Sequence, residues 1–359
     1  MLDKDLPAAW RVADLKNDGS WVFAIDDAAR AQLTHAIKTA FVPERPLLDY
    51  SRADIDLGAA HAVIAAAIKE AHHGRGFSLV KGLPRAGLTE KEFEFLNWAI
   101  GLHTGVARPQ GKATQYISPV RDAGTDYRSS GGRGYSSNAK LDFHVDGCDL
   151  VTLACYNAAR SGGMSMVTSS ISALAALTAA WPHLAEVARE NFYFSRQNEQ
   201  AEDEGPYYGQ PLYDEAEGRI FCKWNRNRVQ SAQRIEGVPQ LTSAQRETMD
   251  ALDAILQRPD LMFTMHLEPG DLQILNNHTM LHSRTDFVDF DEPEKKRLLY
   301  RLWIAPPDGV QLPGSWKDFF RSIAPGTVRG GIRGHNYTAA TRAFEMRQAA
   351  DLGMSTNIA

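Results

Sequence analysis

A histidine and an aspartate stand two residues apart, as His144 and Asp146, in the stretch LDFHVDGCD. Their alternation with Phe143 and Val145 predicts a β-strand in which the two polar side chains project from one face. An imidazole and a carboxylate on one face form either a hydrogen-bonded surface pair or two ligands of one metal ion. The H-x-D triplet is weak evidence by itself, because many chains contain one by chance.

A later stretch, EPGDLQILNNHTMLHSR, brings two further histidines, His278 and His282, directly after a turn and a short apolar strand. Either histidine is a candidate third ligand. Two histidines and a carboxylate on one face of an iron ion leave three coordination positions open, as in non-haem Fe(II) oxygenases. Zinc would instead favour a tetrahedral site with one position for water, so both metals remain open at this point.

Two arginines, Arg297 and Arg301, lie four residues apart in KKRLLYRLWI, which predicts that they share one face of a strand. A planar guanidinium is the usual bidentate partner of a carboxylate. Such a pair would suit a dicarboxylate cosubstrate such as 2-oxoglutarate. The alternative is a solvated face of an edge strand.

The composition of the 359-residue chain, 43% hydrophobic and 23% charged, is typical of a soluble globular protein. A formal net charge of -5 argues against general nucleic-acid binding and favours small-molecule partners. No apolar run approaches the ~20 residues of a membrane helix, and the first residues lack the pattern of a signal peptide, so we expect a cytoplasmic protein without a membrane partner. The odd number of cysteines, without C-x-x-C spacing, predicts reduced thiols. A homo-oligomer remains possible.

Helical patterns dominate the first part of the chain. The spacing of apolar residues predicts a helix over 56–73, a strand over 76–83 and a helix over 88–101 that begins with a capping box. A polar loop, rich in Gly and Ser, is expected over 105–140. Strand-rich regions at 140–170 and 260–305 are separated by helical material, which predicts an α+β protein with a β-sandwich decorated by helices.

Several of these stretches, taken in order, resemble the landmarks of one family. They are GFSLVKGLP, FHVDGCD, ARSGGMS, LQILNNHTMLHSR and KRLLYRLWI. The chain resembles the taurine dioxygenase-like (TauD/TfdA) family of Fe(II)/2-oxoglutarate-dependent oxygenases, which are relatives of clavaminate synthase and γ-butyrobetaine hydroxylase. The resemblance spans 75–305. It implies one elaborated oxygenase domain over 1–359, in which a double-stranded β-helix (jelly-roll) core follows an N-terminal helical flank over 1–74 and precedes a C-terminal extension over 306–359.

The family's motifs imply roles for individual residues. Carried over position by position, they make His144, Asp146 and His282 the catalytic iron ligands, with His278 a neighbour. The arginine about fifteen residues after the distal histidine, which is Arg297, would hold the distal carboxylate of 2-oxoglutarate.

Two softer assignments come from the same resemblance. Ser165 occupies the hydroxyl position of the G-G-x-S/T turn and would donate to the carboxylate of 2-oxoglutarate; most family members carry threonine there. Arg301 matches the arginine that faces the acid group of the primary substrate in some members.

The resemblance implies a dioxygenase that uses Fe(II), 2-oxoglutarate and O2, is stimulated by ascorbate, and releases succinate and CO2. We expect hydroxylation, or desaturation or rearrangement, of a small and anionic substrate such as an amino acid or its derivative. Related halogenases lack the carboxylate ligand, so Asp146 argues against halogenation. The alternatives are a non-catalytic metal- and metabolite-binding jelly-roll protein and a zinc hydrolase.

Overall fold

The computed structural model describes residues 6–16, 18–124 and 136–356. Strands carry most of the architecture around the predicted site. They are β1 (Val22–Ala24), β2 (Phe77–Lys81), β3 (Val106–Arg108), β4 (Ile117–Val120), β5 (Leu150–Asn157), β6 (Ser161–Gly162), β7 (Ser165–Ser169), β8 (Asn191–Ser195), β9 (Tyr207–Pro211), β10 (Tyr213–Ala216), β11 (Arg219–Cys222), β12 (Met262–Met265), β13 (Leu272–Asn276), β14 (Met280–Arg284), β15 (Phe287–Val288) and β16 (Leu298–Ala305).

Helices flank the strands, and the longer ones cover the outer faces of the two sheets. They are α1 (Val12–Lys16), α2 (Asp27–Ala40), α3 (Ala60–His73), α4 (Glu90–Thr104), α5 (Ser170–Ala180), α6 (Pro182–Val187), α7 (Arg226–Ala232), α8 (Ser243–Leu256), α9 (Lys317–Phe320) and α10 (Ala339–Asp351). The predicted capping box at the start of α4 is confirmed. The Glu92 carboxylate accepts from the backbone N–H of Thr89 at 2.7 Å, and the Thr89 hydroxyl accepts from that of Glu92 at 3.3 Å. No helix among the described residues is long and apolar enough to cross a membrane.

The larger sheet has the order β1-β2-β13-β5-β16-β3, and β4 also pairs with β16. Strand β16 shows how its residues divide between two cores. Tyr300, Leu302 and other even-numbered residues pack against α2, α3 and α4, whereas Leu299 and Trp303 join a core shared with the second sheet. Because side chains alternate along a strand, Arg301 belongs to the inner side, between the two sheets.

The second sheet has the order β12-β7-β14 and extends beyond β14 through single bridges. His144 pairs with His282 of β14 on one side and with Asn225 on the other. The core between the two sheets contains residues from β2, β5, β7, β12, β13, β14 and β16. The outer face of the second sheet packs against α5 and α8.

Three local predictions were wrong in detail. The segment around His144 is not a regular strand, because the backbone N–H of Asp146 donates to the side-chain Oδ1 of Asn277 at 2.9 Å instead of to a neighbouring strand.

The segment 105–140, expected as a loop, contains β3 and β4, whose short apolar runs pair with β16. Residues 125–135 of this segment lie outside the described residues. Arg297 precedes β16. An irregularity in the pairing of β16 with β5 between Leu298 and the next residue separates Arg297 from the regular strand.

Candidate metal centre and active-site cavity

Three potential metal ligands meet at the inner surface of the second sheet. His144, Asp146 and His282 each offer one ligand atom, and these atoms all lie within 4.8 Å of one another. The two histidines are held side by side by paired backbone hydrogen bonds, His144 N to His282 O and the reverse, both 3.0 Å long. Residues directly opposite one another in antiparallel strands project to the same side, so this pairing places both imidazoles together.

The protonation of the three groups suits a divalent cation. The carbonyl of Asp142 lies 2.9 Å from Nδ1 of His144, so Nδ1 donates to it and Nε2 is left as the ligand atom. Burial, reinforced by the neighbouring His144 imidazole, lowers the pKa of His282 to about 3 and keeps the His282 imidazole neutral. Burial opposes ionisation of Asp146, but Arg301 and the two histidines outweigh it and lower the pKa of this carboxyl to about 2.

Two neighbours orient the Asp146 carboxylate. Trp303 Nε1 donates to its Oδ2 at 2.9 Å, and Arg301 Nη1 lies 3.4 Å from both oxygens. Arg301 is itself held by Gln110, whose Oε1 accepts from Nε at 2.8 Å. Such contacts fix the direction of a metal ligand and are a common source of metal affinity.

His278 takes no part in this cluster. Its Nε2 lies 3.0 Å from Oδ1 of Asp149, and Arg329 donates to the same carboxylate at 2.5 Å. Burial opposes ionisation of Asp149, but Arg329 and His278 hold the pKa of this carboxyl well below its usual range. The three residues therefore form a buried structural network, and His282 is the histidine that lies beside Asp146.

Two buried guanidinium groups lie close together at another part of the cavity. Arg284 and Arg297 both stack on the ring of Phe287, with distances of 4.7 and 5.0 Å from the guanidinium carbon to the ring centroid. Burial and the charge of Arg297 lower the pKa of Arg284 to about 9, and burial lowers that of Arg297 to about 10. Nη1 of each has no hydrogen-bond partner among the described residues. Unpaired buried cations of this kind call for an anionic ligand.

Ser165 lies beside these arginines. It stands opposite Arg284 in the pairing of β7 with β14, and its hydroxyl donates to Oε1 of Gln273 at 2.8 Å. The turn before β7 leaves room for Arg297, because Gly163 has a φ of 67° and a Cβ built there would lie 3.1 Å from Arg297 Nε. The G-G-x-S turn thus leaves space for the Arg297 side chain and also leads into the strand that begins with Ser165.

The six residues to which the family motifs assign a binding role, Ser165 and Arg301 included, all line one cavity of about 160 Å³. In the described part of the chain its lining includes two carboxylates, Asp146 and Glu199, and five cationic side chains. The cations are Lys223, Arg228, Arg284, Arg297 and Arg301. This excess of positive charge favours anionic ligands.

Sequence reasoning missed several residues of the site. Arg284 ends the H-S-R triplet that carried part of the family resemblance, so a signal for it existed. Lys223 and Arg228 lie in a segment without regular periodicity, and no sequence pattern connected them with the H-x-D pair. They reach the cavity because His144 bridges to Asn225.

The model of the family described as "Taurine catabolism dioxygenase TauD, TfdA family" matches residues 41–303. The chain belongs to this family. The relatives that it matches include FR-33289 synthase of Streptomyces rubellomurinus, which is 27% identical over 312 residues that cover 86% of this chain and 92% of that protein. A taurine hydroxylase-like protein of Stachybotrys chartarum, SAT17, is 26% identical over 258 residues, covering 66% of this chain and 64% of that protein.

Solved structures share the fold of this TauD-family chain. An asparagine oxygenase in complex with Fe(II), 2S,3S-3-hydroxyasparagine and succinate has a TM-score of 0.60 at 16% identity, covering 79% of this chain and 93% of that one. The non-haem iron oxygenase OrfP with iron and α-ketoglutaric acid has a TM-score of 0.55 at 16% identity, with the same two coverages. The predicted α+β jelly-roll architecture is confirmed. The protein is a non-haem Fe(II)- and 2-oxoglutarate-dependent dioxygenase, as predicted, and O2 is its further substrate.

Proposed function

We propose that His144, Asp146 and His282 hold the iron of this dioxygenase. Their clustering within 4.8 Å is the observation that carries the proposal. Two neutral imidazoles and one carboxylate on one side of an iron ion leave three positions for cosubstrate and O2. When bound, iron and 2-oxoglutarate would activate O2: one oxygen atom would enter succinate as 2-oxoglutarate loses CO2, and the other would oxidise a C–H bond of the substrate.

Arg297 holds the distal carboxylate of 2-oxoglutarate in this proposal. Support comes from its burial and from Nη1, which lacks a partner among the described residues. Ser165 donates to the same carboxylate after its O–H turns away from Gln273. Arg284 adds a second positive charge at this end of the cavity, which suits a dianionic cosubstrate.

The primary substrate is a small acid, and we favour an amino acid or its derivative. OrfP has been solved with (3S)-hydroxy-L-Arg, and the asparagine oxygenase with a hydroxyasparagine. Arg301 is the candidate contact for the acid group, because it lines the cavity beside the proposed iron ligand Asp146. Hydroxylation is the favoured outcome, with desaturation or rearrangement as the other options. Membership of the family leaves little support for a metabolite-binding protein or a zinc hydrolase.

The test is a screen of amino acids and small acids for stimulated succinate formation by the purified protein with Fe(II), 2-oxoglutarate, ascorbate and air. We expect at least one acid to raise succinate formation above the substrate-free rate. The matched control replaces Fe(II) by Zn(II), which should abolish turnover. Oxygen-independent turnover with zinc would contradict the proposal.

A further inference from the structure

Lys223 is a buried lysine without a salt-bridge partner among the described residues. It follows β11, only 3% of its surface is accessible to solvent, and it lines the cavity. Among the described residues its ammonium group has neither a hydrogen bond nor a salt bridge, and Nζ lies 4.3 Å from the centroid of the Phe319 ring. Burial and the charge of nearby Arg228 lower the pKa of Lys223 to about 7, because a buried ammonium without a counterion is costly. An anion from outside the chain would stabilise the charged form, so the position suits an anionic ligand.

Each of the other cations of the cavity either has a carboxylate neighbour or has a role in the proposed function. Arg228 pairs with Glu199 at 2.7 Å, and Arg301 lies 3.4 Å from Asp146. Arg284 and Arg297 share the Phe287 ring at the end that we assign to 2-oxoglutarate. Lys223 is thus left without a role in the binding of iron or cosubstrate.

The order of the strands separates Lys223 from the cosubstrate end. Ser165 lies on β7, which pairs with β14. His282 of β14 pairs with His144, and His144 pairs on its other side with Asn225, two residues after Lys223. Three steps of about 4.8 Å between neighbouring backbone segments put the backbone at Ser165 roughly 14 Å from the backbone at Asn225. The two histidines proposed as metal ligands lie between these two segments.

We propose that Lys223 binds an anionic group, a carboxylate or a phosphate, of the primary substrate. This inference rests on the proposed function and adds a specificity-determining residue on the side of the metal away from Arg297. A lysine suits this role because its ammonium is a compact charge with three donors. Asn225 lines the same side, and since its Oδ1 caps α7 by accepting from Arg228 N, its Nδ2 group remains to donate to the same anion.

The experiment compares wild type with Lys223→Met, Lys223→Arg and the control Lys38→Met, which alters an exposed lysine of α2. The probes are two matched pairs, O-phospho-L-serine with L-serine and L-aspartate with L-asparagine. Binding to the protein loaded with Fe(II) and 2-oxoglutarate is measured by calorimetry without oxygen. We expect wild type and Lys38→Met to prefer the more anionic member of at least one pair by roughly tenfold or more, as one charge-assisted hydrogen bond allows.

Lys223→Met should abolish this preference and Lys223→Arg should keep it, while the affinity for 2-oxoglutarate stays within about twofold of wild type. The melting temperature of Lys223→Met should not fall, because methionine replaces a buried charge with an apolar side chain of similar length. Absence of an anion preference in wild type, or its survival in Lys223→Met, would overturn the inference. If wild type failed to bind 2-oxoglutarate at all, the proposed function would fail instead, and titration of the metal-free protein with inorganic phosphate would still test Lys223.

Discussion

The guanidinium of Arg301 lies 3.4 Å from both carboxylate oxygens of Asp146, the residue that we propose as the carboxylate ligand of the iron. The charge of Arg301 can therefore act on two groups: the carboxylate of Asp146 and the acid group of a substrate that enters the cavity. Iron would offset the negative charge of Asp146 and leave the guanidinium freer to attract a substrate anion.

We predict that Arg301→Gln raises the KM for the primary substrate by roughly tenfold or more, since one charge-assisted contact is lost. The assay uses saturating Fe(II), because Arg301 also orients Asp146. Under this condition the 2-oxoglutarate affinity and the slow substrate-free decarboxylation should remain nearly unchanged. Succinate formation measured with and without substrate separates the two effects. Impaired 2-oxoglutarate binding, or a neutral or cationic best substrate, would assign Arg301 to the cosubstrate instead.

The two downstream histidines should respond differently to alanine. His282→Ala should abolish turnover and iron binding, because it removes a proposed ligand. His278→Ala should bind iron and retain activity, but lose about 1 to 3 kcal/mol of unfolding free energy, since it breaks a buried hydrogen bond to Asp149. Iron content and chemical denaturation of both variants provide the test, and exchanged outcomes would show that the distal ligand is wrongly assigned.

Arg297→Ala should raise the 2-oxoglutarate requirement far more than it affects iron. Loss of a charge-assisted bidentate pair in a buried site costs about 2 to 5 kcal/mol, which corresponds to roughly thirtyfold or more in affinity. Titration of the iron-loaded protein with 2-oxoglutarate measures this loss of affinity. Arg160→Ala, at an exposed position, is the control and should behave as wild type. An unchanged titration in Arg297→Ala would remove its cosubstrate role.

Trp303→Phe tests the orientation of the metal ligand. It removes the 2.9 Å hydrogen bond to Asp146 but keeps a large aromatic side chain, so we expect iron affinity to fall about 10- to 100-fold while the fold persists. The control is Trp316→Phe, because the indole Nε1 of this equally buried residue has no partner among the described residues. Equal iron affinities of the two variants, measured by competition with a chelator, would count against the role of Trp303.

Local patterns were sufficient for much of the fold. The alternation in β16 and the capping box of α4 depend on neighbouring residues, and both were predictable from sequence. Strands β3 and β4 were not, because their short runs become strands only by pairing with β16. The division into a flank, a core and an extension stays a prediction, as do the cytoplasmic location, the possible homo-oligomer and the absence of a nucleic-acid partner.

The sequence by itself determined the candidate ligands and the family, because the spacing of His144 and Asp146 and the motifs that follow are properties of short stretches. The family motif also selected His282 over His278, but only the tertiary structure shows the physical reason. The backbone pairing of His144 with His282 and the partnership of His278 with Asp149 both join residues distant along the chain. The same holds for Lys223, which reaches the cavity through the bridge of Asn225 to His144. Pairing between distant segments depends on how the whole chain packs, so no local pattern encodes it.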